Sequence, residues 1–403
     1  MSFSQLSAYE EIVGSGKIEE LLALADKIKG ISVTHVNSTS TGGGVVEILR
    51  SLVPLFRLVG IPCRWEVMQG TDKFFHTTKL FHNLLQGLSL KEGEKLTQDM
   101  LDEYRRVNEK NMKKVDLASD VVIIHDPQPA ALVRARGNNK WVWRCHIDLS
   151  SPDKRTWDFL YSYIGQYDAA IFSLQDFVQP SPLAHYIIPP SIDPLSEKNK
   201  ELSTQQVKNV FKKLGIPQDR AMLLQVSRFD YFKDPIGVIK VYRQVKKRVN
   251  CRLILAGGTA EDDPEGWQVL KQVKEEAKGD SDIHILNLPP DSFLEINALQ
   301  RGADIVIQKS LKEGFGLTVT EALWKARPVI GGNAGGIVLQ IKDGENGFLV
   351  NSIEEAIDKV EYLLRNPSYA REMGEAGRKV VKDKFLMTRH LKDYLRLIGE
   401  LCS

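Results

Sequence analysis

Short apolar runs alternate along the whole chain with longer amphipathic ones, and this alternation constrains the fold more than any other feature. Ile31–Asn37, Cys63–Met68, Val121–Ile124, Trp141–Ile147, Ala169–Ser173 and Tyr186–Ile188 read as strands separated by helical or loop stretches. A second series follows at Ala221–Val226, Arg252–Ala256, Ile283–Leu286, Ala303–Ile307, Pro328–Ile330 and Gly347–Val350. Strands spaced by helices are joined by crossovers, which give parallel sheets covered by helices. A chain of 403 residues exceeds what one core usually holds. The expected fold class is therefore α/β, two Rossmann-like, doubly wound domains facing a central cleft. Pro180, Pro182, Pro189, Pro190 and Pro194 precede a polar run, Ser196–Lys200, that looks like an interdomain linker. That sets an N-terminal domain at 1–195 and a C-terminal domain at 196–386. The amphipathic terminal segment, 387–403, is expected to cross back onto the first domain.

Several function classes are disfavoured. The net charge is only +2, and Lys and Arg alternate with Asp and Glu, so no nucleic-acid stripe is present. Cys63, Cys145, Cys251 and Cys402 are scattered, which suits neither a disulfide framework nor a zinc site. Glu10, Glu11 and Lys17 break the N-terminal apolar runs, and no run is long enough to span a bilayer. A soluble protein of the reducing cytoplasm, with no membrane partner, is expected.

Ligands of parallel α/β sheets bind beyond the carboxyl ends of the strands, so polar and glycine-rich residues placed there carry the most weight. Glu313-Gly314-Phe315-Gly316-Leu317-Thr318-Val319-Thr320-Glu321 lies between a strand and a helix, where free backbone N–H groups favour anions or hydroxyl oxygens. Its two carboxylates could grip different parts of one elongated ligand; a plain strand-loop-helix unit is the alternative. Gly42-Gly43-Gly44 opens another such unit, or is merely a tight turn. Arg228 and Lys233 follow a strand and could hold a diphosphate, although a surface ion-pair loop would read the same. His125-Asp126 and His146-Ile147-Asp148 also follow strands. Phe74–Asn83 mixes aromatics with polar donors, as a sugar pocket does, or as a helix with a buried aromatic face does.

Taken together, Ser227-Arg228 with Lys233, Glu313–Glu321 and Ile341–Val350 resemble the retaining glycosyltransferases of the two-domain GT-B type, the glycogen-synthase-like group that includes sucrose-phosphate synthases. Phe74–Asn83, His125–Gln128 and Trp324-Lys325 resemble a narrower branch, the trehalose synthases that transfer glucose from a nucleotide donor to free glucose, and the related trehalose phosphorylases. Two departures are Lys309-Ser310, where the family often has Pro-Ser, and Leu339, where it often has Glu.

The resemblance implies the following roles. Glu313 would hold hydroxyls of the donor glucose, beside the backbone of Gly314, Phe315, Gly316 and Leu317, and Glu321 would take the ribose. Arg228 and Lys233 would bind the diphosphate, approached from the other domain by Gly43 and Gly44, with His146 near the reacting carbon. Lys79, His82, Asn83, Asp126 and Asp148 would form the acceptor pocket. The implied reaction is retaining transfer from ADP-glucose or UDP-glucose to glucose, giving α,α-trehalose, possible in either direction. No cofactor and no essential metal are expected, since the two cations replace the divalent ion. A homodimer is left open. Alternatives are a trehalose phosphorylase, another hexosyltransferase of the group, a two-lobed sugar-binding protein and, weakened by the lack of G-x-G-x-x-G, a dinucleotide oxidoreductase.

Overall fold

The structure, a computed structural model, describes residues 3–88, 95–258 and 264–403. The chain divides into two compact units, one of Met1–Pro190 with Met387–Ser403 and the other of Ser191–Leu386. The first contains β1 (Val33–Asn37), β2 (Cys63–Val67), β3 (Val121–His125), β4 (Lys140–Arg144), β5 (Ala169–Phe172) and β6 (Ala184–Ile187). They form one sheet in the order β2-β1-β3-β4-β5-β6, and every pair is parallel. β1 and β3 are buried along their whole length, as strands covered on both faces must be. Trp141 and Trp143 of β4 fill the core beside Phe74, Phe81 and Tyr104.

The second unit contains β7 (Ala221–Val226), β8 (Cys251–Gly257), β9 (Ile283–Asn287), β10 (Ile305–Gln308), β11 (Val329–Gly332) and β12 (Phe348–Val350). Their order is β12-β11-β10-β7-β8-β9, again all parallel. Every strand read from the sequence is present, with ends shifted by a few residues.

Strand order decides where a ligand can sit. In the first unit the chain winds one way from β1 to β2 and the other way from β3 onward, so the order reverses between β1 and β3. In the second unit it reverses between β7 and β10. At such a switch point the loops leaving two neighbouring strands diverge to opposite faces and open a crevice at the carboxyl edge. The segments after β1, β3, β7 and β10 are Thr39–Gly44, Asp126, Ser227–Asp234 and Lys309–Gly316, which are the stretches singled out above.

The terminal helix Met387–Cys402 buries Leu391, Tyr394, Leu395 and Ile398 at helical spacing. It packs on helices Ser15–Lys27 and Gly44–Leu58 and so belongs to the first unit. Arg389 secures it by donating to the carbonyls of Pro189 and Pro190. Among the described residues no helix is long and apolar enough to cross a membrane.

One reading needs correction. Ser196–Lys200 is not a free linker but a strap bound to the second unit. Asn297 donates to the carbonyls of Glu197 and Lys200, and Arg301 to those of Asn199 and Lys200. The Trp324 indole donates to the Asn199 carbonyl. The division between units accordingly falls at 190/191, five residues before the sequence estimate of 195/196.

Candidate active site

The switch point of the second unit is built on charge. Lys233 Nζ lies 2.6 Å from Glu313 Oε2, joining the loop after β7 to the loop after β10. The Ser310 hydroxyl approaches the same oxygen at 3.3 Å. Lys233 is held from both sides. Gln225, buried in β7, donates to its carbonyl at 2.6 Å, and the next residue, Asp234, adopts a left-handed conformation at φ 48°. Asp234 caps helix Pro235–Lys246 through Gly237 N–H and receives Lys309 Nζ at 2.6 Å. Lys309, noted above only as a departure from the family, is thus a buried cation that anchors the residue next to Lys233. Arg228 is different. Its side chain is 57% exposed and pairs only loosely with Asp230, at 3.6 Å, leaving the guanidinium available to a ligand.

The glycines here divide into two kinds. Gly335 and Gly336 are packing glycines: a Cβ on either would collide with the backbone of Glu313 or Phe315. The two loops interlock, and Gln340 fastens them by donating to the Phe315 and Gly316 carbonyls. Phe315 itself is buried against Phe385, so the glycine loop offers backbone rather than this ring. Gly42 and Gly43 are exposed at φ 69° and 81°, with nothing among the described residues within 4 Å of the place a Cβ would take. Helix Gly44–Leu58 begins behind them, and Gly43 supplies no side-chain cap to its first N–H groups. Gly335→Ala, at φ 49°, is expected to cost about 1–3 kcal/mol in backbone strain and to displace Glu313. Turnover should fall together with the thermal midpoint, whereas Gly137→Ala, in open space, should change neither.

Glu321 is fully buried, with a cation beside one oxygen and an amide beside the other. Lys198 Nζ lies 2.9 Å from Oε1 and Gln300 Nε2 3.2 Å from Oε2. The ribose expected at this carboxylate would meet the Lys198 ammonium at the same group. Lys325, one helical turn on, is buried too, and burial brings its ammonium down to about 7 while it donates to Asn199 Oδ1 at 2.9 Å. Lys198 and Asn199 escaped the sequence reading because a polar run after prolines resembles a solvated linker; the available signal was the Trp324-Lys325 pair, an unusual indole and amine needing partners.

In the first unit, β3 and β4 bring His125, Asp126 and His146 together. The Asp126 carboxylate accepts the His146 backbone N–H at 2.7 Å, and burial pushes its carboxyl up to about 7. One Asp126 oxygen is therefore committed to the protein. Asp148 accepts the Ser150 backbone N–H at 2.9 Å. In helix Asp72–Leu85, Phe74 and Phe81 are buried in the core, which accounts for two of the three phenylalanines of Phe74–Asn83, while Phe75 and Lys79 are exposed and His82 and Asn83 are half-buried.

Comparison with known proteins matches both units. The family model "Trehalose synthase, N-terminal domain" matches residues 35–179, and "Glycosyl transferases group 1" matches residues 206–380. A curated trehalose synthase of Pyrococcus horikoshii is 46% identical, over 98% of this chain and 96% of the relative. A trehalose phosphorylase of Pleurotus pulmonarius is 28% identical over 94% of this chain but only 58% of its own. Among solved structures, the sucrose-phosphate synthase of Thermosynechococcus elongatus aligns with a TM-score of 0.70 at 16% identity, covering 92% of this chain and 99% of that one. That likeness shows the GT-B fold.

Proposed function

Because this chain belongs to the trehalose synthase family of group 1 glycosyltransferases, we propose that it makes α,α-trehalose from ADP-glucose or UDP-glucose and free glucose, with retention and in either direction. Trehalose-metabolising glycosyl transfer is the activity of the family; the donor, the acceptor and the stereochemical course are the parts proposed. The observation that carries the donor half is the Lys233–Glu313 pair at the switch point, with Arg228 on the same loop after β7 as Lys233. A sugar on a diphosphate carries hydroxyls and two phosphates, and this pair offers an acceptor for the first and a cation for the second.

In this mechanism Arg228 and Lys233 neutralise the charge that grows on the leaving diphosphate, which is the role a divalent ion would otherwise fill. Glu313 accepts from glucose hydroxyls, and the backbone of Gly314–Leu317 lines the ring. His146 meets the sugar near its anomeric carbon, and Gly43 and Gly44 let the backbone approach the phosphates. The acceptor glucose binds against Lys79, His82, Asn83, Asp126 and Asp148. Its anomeric oxygen forms the new bond on the face that the diphosphate leaves, and its proton passes to a departing phosphate oxygen.

Incubation with ADP-glucose or UDP-glucose plus glucose, followed by NMR of the disaccharide, tests the proposal. The expected product has no reducing end and two equivalent α-anomeric protons. A reducing product, transfer to glucose phosphate alone, or trehalose turnover that requires inorganic phosphate and no nucleotide would overturn it.

A further inference from the structure

Three histidines of the first unit form a chain, of which the roles above use only His146. His35 lies inside β1, His125 ends β3 and His146 follows β4, on three adjacent strands. The register sets His35 opposite Ile123 and His125 opposite Arg144, so each histidine stands two residues nearer the carboxyl edge than the last. A step of two keeps all three on one face of the sheet. Their rings meet: His35 Nδ1 is 2.9 Å from His125 Nε2, and His125 Nδ1 is 2.9 Å from His146 Nε2. The inner two are buried, and His146 keeps part of its surface accessible.

Burial favours the neutral form of all three rings. Burial lowers His35 to about 3 and holds His125 and His146 well below the usual histidine range, and the buried Arg144 guanidinium lowers those two further. From the terminal helix, Tyr394 packs on the His35 ring and His390 packs on Tyr394. Among the described residues no group of three or more His, Cys, Asp or Glu is placed to hold a metal ion.

A neutral imidazole has one N–H and one bare nitrogen. Both bonds must therefore run the same way, and one direction settles both ends of the chain. If they point inward, His35 carries its hydrogen on Nε2, a buried nitrogen with no hydrogen-bond partner among the described residues. If they point outward, that nitrogen is a bare acceptor and His146 carries its hydrogen on Nδ1. A buried N–H without a partner is the rarer defect of the two.

We propose that His35 and His125 are positioning residues that lock His146 as the Nδ1–H tautomer, so that it presents a hydrogen-bond donor to the sugar. The role in transfer rests on the reading that His146 meets the transferred glucose. Asp126, through the His146 backbone N–H, holds the same residue from its other side.

Long-range proton–nitrogen NMR on histidine-labelled protein distinguishes the two tautomers. Of the eight histidines, the His146 signals are those lost in His146→Gln. The expected spectrum of the parent protein shows a protonated Nδ1 and a bare Nε2 at His146. His35→Phe should mix the tautomers and reduce turnover about tenfold with little change in the donor KM, the pattern of an interaction made in the transition state. His35→Gln, whose amide can still donate to His125, should restore both. A protonated Nε2 at His146 in the parent, or an unchanged tautomer in folded His35→Phe, overturns the proposal. The parent spectrum needs no variant, so a misfolded His35→Phe leaves that arm decisive. A locked Nδ1–H tautomer together with full transfer by His146→Phe would instead remove His146 from the sugar, and with it the role of the chain in transfer.

Discussion

Lys233→Ala is expected to reduce glucosyl transfer by about 10²-fold or more, mainly in turnover, because charge accumulates on the leaving diphosphate only as the glycosidic bond breaks. Two effects add at this position. The variant loses the cation, and it leaves the Glu313 carboxylate, 2.6 Å from the lost ammonium, without that partner and facing an anionic ligand. Arg228→Ala should cost less, since that side chain is more than half exposed and solvent screens its field. Transfer by the parent protein should survive chelators. Full turnover by Lys233→Ala, or parent activity abolished by a chelator and restored by a divalent ion, would refute the cation clamp. A rise in donor KM at constant turnover would demote Lys233 to uniform binding of the ground state.

What was legible in the sequence was local. β3, with Val121, Val122, Ile123 and Ile124 in a row, and β7, with Met222, Leu223 and Leu224, are short, apolar and bounded by polar turns, so their existence follows from composition alone. The order of strands in each sheet does not, because any sequence of right-handed crossovers satisfies the same pattern. Yet that order is what brings Lys233 to Glu313, 80 positions away in the chain. Glu313 and Lys233 were visible as candidates, while their direct pairing was not. His35 shows the converse: one histidine among Val33, Thr34 and Val36 reads as an ordinary core residue, and only the register with β3 and β4 shows what it touches. Lys198 and Asn199 were hidden by their own polarity. Charged residues after a proline cluster are usually solvated, and nothing in their spacing announces that a buried carboxylate at 321 and a buried amine at 325 wait for them.

The Lys198 strap yields the other large effect expected. Lys198→Met removes the ammonium from a carboxylate with no exposed surface, and a buried charge stripped of its partner costs about 3–5 kcal/mol. Gln300 still donates to Glu321, and Lys325 lies one turn away, so the lower end of that range is the expectation. Lys200→Met is the control, because its ion pair with Glu197 is 40% and 61% exposed and should contribute about 0–1 kcal/mol. Calorimetric midpoints of the parent and the two variants measure this, and a deficit for Lys198→Met no larger than that for Lys200→Met would mean that the Lys198–Glu321 pair does not secure the strap. Nucleotide adds a second reading from the same samples. If Glu321 receives the ribose, the donor must replace Lys198 with hydroxyl hydrogens, and saturating nucleoside diphosphate should raise the midpoint of the variant more than that of the parent. Equal increments would leave Glu321 as a structural partner of the strap and place the ribose elsewhere in the second unit.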